Sequence, residues 1–296
     1  MHNKGLLSAT FEQSKKVVSK KILTEDGAQI GVLSSMKFSQ RLSGLTVLFL
    51  LVIIYAIGVG LPRFITMEPQ ETRMLSESTI NSIHLIGSYM TGFTEKLIIL
   101  LIILIVINLL PKPNYAYQLA FANVTLIVFI LCSTMAFLPF TVGLTVDAFG
   151  WLGFVLQLVV CIYLWKSLVL SSVDQLKQQL YKGVLAGKDW GEGLMIFIKK
   201  YGGILLLLSI VNRWTFNFGE VATSRPDIFS FLYGWSFILV AAPMIFVLGM
   251  TLKNFVSAFY LFKYREEYRQ FFKVSNEQWY GKWRGKKMDK KEQKEK

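Results

Sequence analysis

Two histidines, two cysteines and seven prolines in 296 residues leave this chain little reactive chemistry. His2 and His84 stand far apart in sequence, so no histidine pair is available to bind a metal or relay a proton. The HExxH, GxSxG and GxxxxGK[ST] patterns are all missing, which argues against a zinc hydrolase, a serine hydrolase and a P-loop NTPase. Cys132 and Cys161 both fall inside apolar runs. There a thiol behaves as a small packing residue, which argues against a disulfide or a two-thiol metal site. Acids are also scarce, 19 Asp and Glu against 32 Lys and Arg. None lies near the centre of an apolar run, where an ion-coupled carrier places its ionisable groups. No internal repeat suggests inverted transporter halves. These absences predict a protein that is not an enzyme and uses no cofactor.

What the chain has instead is aliphatic length. Residues 97–110 read Leu-Ile-Ile-Leu-Leu-Ile-Ile-Leu-Ile-Val-Ile-Asn-Leu-Leu, and similar runs recur. The mean hydropathy is +0.46. In a bilayer core no water satisfies backbone N–H and C=O groups, so each run must cross as a helix that bonds internally. About 20 residues are needed for about 30 Å of hydrocarbon. The sequence therefore predicts an all-α polytopic membrane protein with spans near 42–62, 95–111, 117–139, 150–170, 201–218 and 229–252. Pro62 and Pro139 close the first and third spans, and Pro111 and Pro113 bracket the second turn. Pro243 predicts a kink in the sixth span. Trp151, Trp165, Trp214 and Trp235 sit near span ends, as in an aromatic belt.

Charge sets the orientation. With six spans, both termini, Lys112 and the 166–200 loop share one side, which holds 26 of the 32 Lys and Arg. The opposite loops hold four, Arg63, Arg73, Arg213 and Arg225. Lys and Arg accumulate in the cytoplasm, so both termini are expected there. The fifth span is the shortest: Lys200 and Arg213 enclose twelve residues, about 18 Å of helix. A re-entrant segment is its alternative; the charge asymmetry favours a full span.

Three regions follow: a basic leader (1–41), a membrane domain (42–262) and a basic tail (263–296). The leader does not read as a secretory signal, because its first long apolar run begins only near Leu42. Leu7, Phe11, Val18 and Ile22 share a helical face, with Lys15, Lys16, Lys20 and Lys21 on much of the rest. That pattern suits a helix lying on an anionic leaflet; a solvated leader is the alternative. The tail carries twelve Lys and Arg against six acids. Its first half adds aromatics, and Arg284 to Lys296 is polar enough to predict disorder. Headgroup contacts are expected at the four leader lysines and at Arg284, Lys286 and Lys287. The tail has no RNA-binding pattern, which disfavours nucleic acid as a partner.

In the 171–200 loop, Leu176, Leu180 and Val184 recur every four residues, and Gly183, Gly187 and Gly191 follow the same spacing. Outside an apolar 20-mer that spacing is weak evidence for helix dimerisation. The 63–94 loop carries His84 among Glu77 and Glu95, and Met74 to Tyr89 has the pattern of a surface amphipathic helix. Asn108, Asn123 and Gln157 lie inside spans, where amides hydrogen-bond between helices. The reading is a multi-pass cell-membrane protein, an accessory or scaffolding subunit whose partners are anionic lipids and other membrane proteins. The alternative is a channel or transporter subunit for a neutral or lipid-like substrate.

Overall fold

The computed structural model describes residues 5–23, 31–65, 77–183 and 232–294, with isolated positions 67, 200, 203, 204 and 207. Every regular element among them is helical. Four helical stretches are long and apolar enough to cross a membrane: Phe38–Phe64, Ile80–Leu109, Tyr115–Lys182 and Ser236–Lys263. Large aliphatic and aromatic side chains such as Phe49, Val52, Ile103, Val159 and Leu239 point outward from them. That is the surface a hydrocarbon solvent requires. The predicted 201–218 span lies, apart from three isolated positions, outside the described residues, as do Gly187 and Gly191.

The leader contributes a one-turn helix, α1 (Phe11–Ser14), capped by Thr10 and Gln13 in a reciprocal box. The first apolar stretch is built from α2 (Phe38–Ser43), α3 (Thr46–Tyr55), a π-helical turn (Ala56–Gly60) and α4 (Leu61–Phe64). The wide turn directly precedes Pro62, which has no N–H to offer the helix. Pro62 thus continues the helix and does not end it.

Next comes α5 (Glu77–Leu109), 33 residues long. Residues 77–89, expected as a separate surface helix, are the first turns of this same rod. The reason is a buried stripe, Ile80 and Ile83, that continues the apolar face of the downstream run. Lys112 and the two prolines then form a turn, and Asn114 caps α6 (Tyr115–Leu164) by accepting from the Tyr117 N–H at 3.1 Å.

The Tyr115–Lys182 stretch is 68 residues long. As one straight helix it would reach about 100 Å, over three times the hydrocarbon thickness. It folds back at Gly150, whose φ of 67° and ψ of 179° are not helical. Packing against α8 (Ser236–Lys263), numbered after α7 (Ser171–Lys182), proves the reversal. Before Gly150 the chain runs antiparallel to α8: the Tyr117 ring meets Phe262, and Thr145 meets Phe237. After Gly150 it runs parallel: Gln157 meets Gly234 and Ile238, and Leu168 meets Gly249. Pro139 therefore sits inside a helix that continues to Phe149, ten residues past the predicted end. A second π-helical turn (Trp165–Leu170) leads into α7, which stops at Gly183 in a left-handed C-cap.

Close helix crossings are made where a side chain is missing. A Cβ on Gly58 would lie 2.6 Å from the Ala136 Cβ, and one on Gly143 would lie 2.1 Å from Ile83. Such small-residue contacts let membrane helices approach and gain dispersion contacts.

Beyond α8 the tail forms α9 (Arg265–Phe272), α10 (Asn276–Tyr280) and α11 (Lys282–Lys294). The predicted disorder of Arg284 to Lys296 is thus corrected: residues 282–294 are helical. Asn276 holds them, donating to Asp289 at 2.8 Å and Glu292 at 3.1 Å.

Candidate functional site

Both chain ends meet at one end of the bundle, where they build a cap. Its core joins Val17, Val18, Leu180, Tyr260, Tyr268 and Trp279, all buried. The leader is not a helix lying free on a membrane. On both sides of α1 it is a largely irregular strap, with a 3₁₀ turn at Lys20–Leu23; Ala9, Val17, Val18 and Leu23 turn inward, and Leu7 stays exposed.

An irregular buried strap leaves backbone groups that need partners. Tyrosines supply them. Tyr260 lies in α8, Tyr264 at the break between α8 and α9, and Tyr268 in α9, and all three reach the leader. The Tyr260 hydroxyl donates to the Leu6 carbonyl (2.7 Å) and accepts from the Ala9 N–H (3.0 Å). Tyr264 donates to the Ala9 carbonyl at 2.8 Å, and the Tyr268 and Ser14 hydroxyls pair at 2.6 Å. Further along the strap, Tyr115 donates to the Ile22 carbonyl and Gln278 to that of Leu23, each at 2.8 Å. Burial pushes the Tyr268 hydroxyl up to about 12, against a lesser opposite effect of its bond to Ser14.

The cap surface is basic. Lys16, Lys20, Lys21, Arg284, Lys286 and Lys287 are exposed. Lys15 is half-buried; it pairs with Glu12 at 2.6 Å and lies over the Phe11 and Phe271 rings. Arg284 donates to the Lys112 carbonyl at 2.9 Å, which ties α11 to the turn between α5 and α6.

The three amides singled out from sequence have different partners. The Asn108 side chain accepts from Gln118 at 2.8 Å, which joins α5 to α6, and donates to the Leu33 carbonyl at 3.2 Å. Gln157 donates to the Gly234 carbonyl at 2.8 Å and accepts from the Ile238 N–H at 3.2 Å. It thereby caps α8 from a neighbouring helix. Thr145 does the same for the Phe237 N–H at 3.3 Å, and the side chain of Trp235, the capping residue itself, does not cap the helix. Asn123 does not join two helices; it donates to Leu119 within its own, at 2.9 Å. His84 meets the Pro62 carbonyl at 3.2 Å, and Glu95 pairs with Arg63 at 2.9 Å. Among the described residues no group of three His, Cys, Asp or Glu can hold a metal ion.

Two buried ionisable residues escaped the sequence reading. Asp147 lies in the helix continuing past Pro139, 1% exposed, and accepts from the Tyr233 hydroxyl at 2.6 Å. Arg41 lies in α2, 4% exposed. Each adjoins an apolar run, and that adjacency was the available signal. A groove of about 320 Å³ also opens between α7 and α8. Leu168, Phe246 and Met250 line one part of it, and Gln175, Gln179 and Lys253 another. No family model, curated protein or solved structure matches the chain.

Proposed function

We propose that this chain is a non-enzymatic, six-span protein of the cell membrane with both termini in the cytoplasm, serving as an accessory or scaffolding subunit of a membrane assembly. The observation that carries this is the cap: two chain ends, some 250 residues apart, are ordered into one basic surface over one end of the bundle. A fixed charged platform of this kind suits cytosolic partners and the anionic leaflet. Two facts support the span count. α7 ends at the capped end of the bundle, beside the strap (Gln179 to the Lys16 carbonyl, 2.7 Å), whereas α8 begins at the far end. An odd number of passages fits that interval, which contains the 201–218 run. The Lys and Arg excess belongs to the capped side, which favours the cytoplasm for it.

The test uses the full chain in mild detergent. The wild type should migrate as part of a larger complex with a fixed ratio of co-purifying membrane proteins. Lys286→Glu with Lys287→Glu should release those proteins while the chain stays folded. A chain that runs alone and, once reconstituted, moves a solute or lipid across liposomes would replace this reading with the transport one. The groove between α7 and α8 favours that second reading, because its mixed lining and about 320 Å³ suit an amphiphile.

A further inference from the structure

Arg41 is buried, and among the described residues no carboxylate pairs with it. Its one hydrogen bond among the described residues runs from Nη1 to Gln118 Oε1 at 3.3 Å, and its buried Nε has no partner. Gln118 is itself committed elsewhere, donating to Asn108 at 2.8 Å and to the Leu33 carbonyl at 2.6 Å. Arginine stays protonated in proteins. A buried guanidinium facing one neutral amide therefore lacks the compensation that burying a charge requires.

The neighbours add charge of the same sign. Lys112, in the turn between α5 and α6, has its ammonium pushed down by burial and then by the charge of Arg41. Its Nζ donates to the Ile107 carbonyl at 2.7 Å and lies 4.1 Å from the centre of the Phe121 ring. Arg284 bonds the carbonyl of that same lysine, and its exposed side chain brings a third cation to the turn. None of the ion pairs among the described residues involves Arg41, Lys112 or Arg284. Arg41 bonds Gln118, Gln118 bonds Asn108, and the carbonyl of the adjoining Ile107 holds the Lys112 ammonium, so the three cations gather around one junction of cap and bundle, where the half-buried Lys112 reaches solvent.

We propose that Arg41, Lys112 and Arg284 form a phosphate-binding site at the junction of cap and bundle, filled by an anionic phospholipid headgroup or by free phosphate. A guanidinium fork matches two phosphate oxygens, and a lysine supplies a point charge beside it. Arg41 begins the first apolar stretch, so the site lies at the depth of lipid phosphates when that stretch enters the bilayer. The bound anion supplies the countercharge that the described residues do not. The site stands apart from the scaffold reading: one is tested by phosphate, the other by the size of the assembly.

The experiment measures thermal unfolding of the full-length protein in phosphate-free, non-ionic detergent. Phosphatidic acid is added in one arm, inorganic phosphate in a second and neutral phosphatidylcholine in a third. Phosphatidic acid should raise the wild-type Tm and phosphatidylcholine should not. A matching rise with inorganic phosphate assigns the site to free phosphate; a rise with phosphatidic acid alone assigns it to lipid. Arg41→Gln and Lys112→Gln should weaken the response about ten- to a hundredfold, the loss of one charge-assisted bond. Lys96→Gln, an exposed cation on α5 away from the cap, should respond like the wild type. Without any anion, Arg41→Gln should unfold no earlier than the wild type, because it removes an uncompensated charge. A purely structural arginine would give the opposite sign. No anion-dependent rise, an undiminished rise in Arg41→Gln, or early unfolding of Arg41→Gln without anion would each overturn the proposal.

Discussion

Replacing Gln157 with methionine should loosen the start of α8, and the size of the effect follows from its two bonds. The side chain is 3% exposed, and methionine nearly matches its shape. The donor bond to the Gly234 carbonyl and the acceptor bond from the Ile238 N–H are both lost. Interhelical bonds in membrane proteins average about 0.6 kcal/mol and reach about 1.7. Two of them give about 1–3 kcal/mol. The Ile238 N–H is also one of the four donors that a helix start cannot pair internally, so it is left without a partner. Asn123→Ala is the control. It loses one bond within a helix, to a carbonyl that the backbone already uses, so its cost should be about 0.5 kcal/mol or less. Both variants are unfolded reversibly with SDS in mixed micelles and followed by circular dichroism. Equal costs for the two, or a Gln157→Met cost no larger than that of Asn123→Ala, would refute the assignment. The start of α8 would then be held by its bonds to Thr145 and Thr141 and by packing of Gly234 against Phe149.

Gly150→Ala should destabilise by about 1–3 kcal/mol in the same assay, because its φ of 67° with ψ of 179° is a region that only glycine occupies at ease; an alanine variant as stable as wild type would show that the reversal does not need this backbone. Alkali should open the cap through Tyr268. Its folded value of about 12 lies above the ordinary 10.0, so its contribution is whole below pH 10 and lost as pH rises toward 12, where the unfolded chain ionises first. Trp279 fluorescence against pH reports this, and Tyr268→Phe should lessen the loss in that window; an identical profile in the variant would refute it.

The bundle was largely legible because aliphatic runs state their solvent directly. The errors have physical causes. Pro139 and Pro62 read as stops, yet a proline can sit inside a helix whose neighbours or widened turns absorb the missing bond. That misplacement moved Asp147 into a loop and hid a buried acid. The amides were visible, but sequence cannot tell whether an amide faces a neighbour, as Gln157 does, or its own helix, as Asn123 does. The cap was least legible. Tyr264 and Tyr268 bond the Ala9 carbonyl and the Ser14 hydroxyl, some 250 residues away, and no local pattern marks such partners.

That separation has a consequence for biosynthesis. The strap leaves the ribosome before the bundle does, and the tyrosines that satisfy its backbone come some 250 residues later. At about 5–20 residues per second, the strap waits roughly 10–50 s for Tyr260 to Tyr268 to emerge. Until then Val17 and Val18 have no core to enter. Cap closure therefore waits for synthesis to pass residue 268, and a chain cut short anywhere before residue 260 leaves the strap open to proteases. The tyrosine ladder thus reports that synthesis has passed the last helix of the bundle.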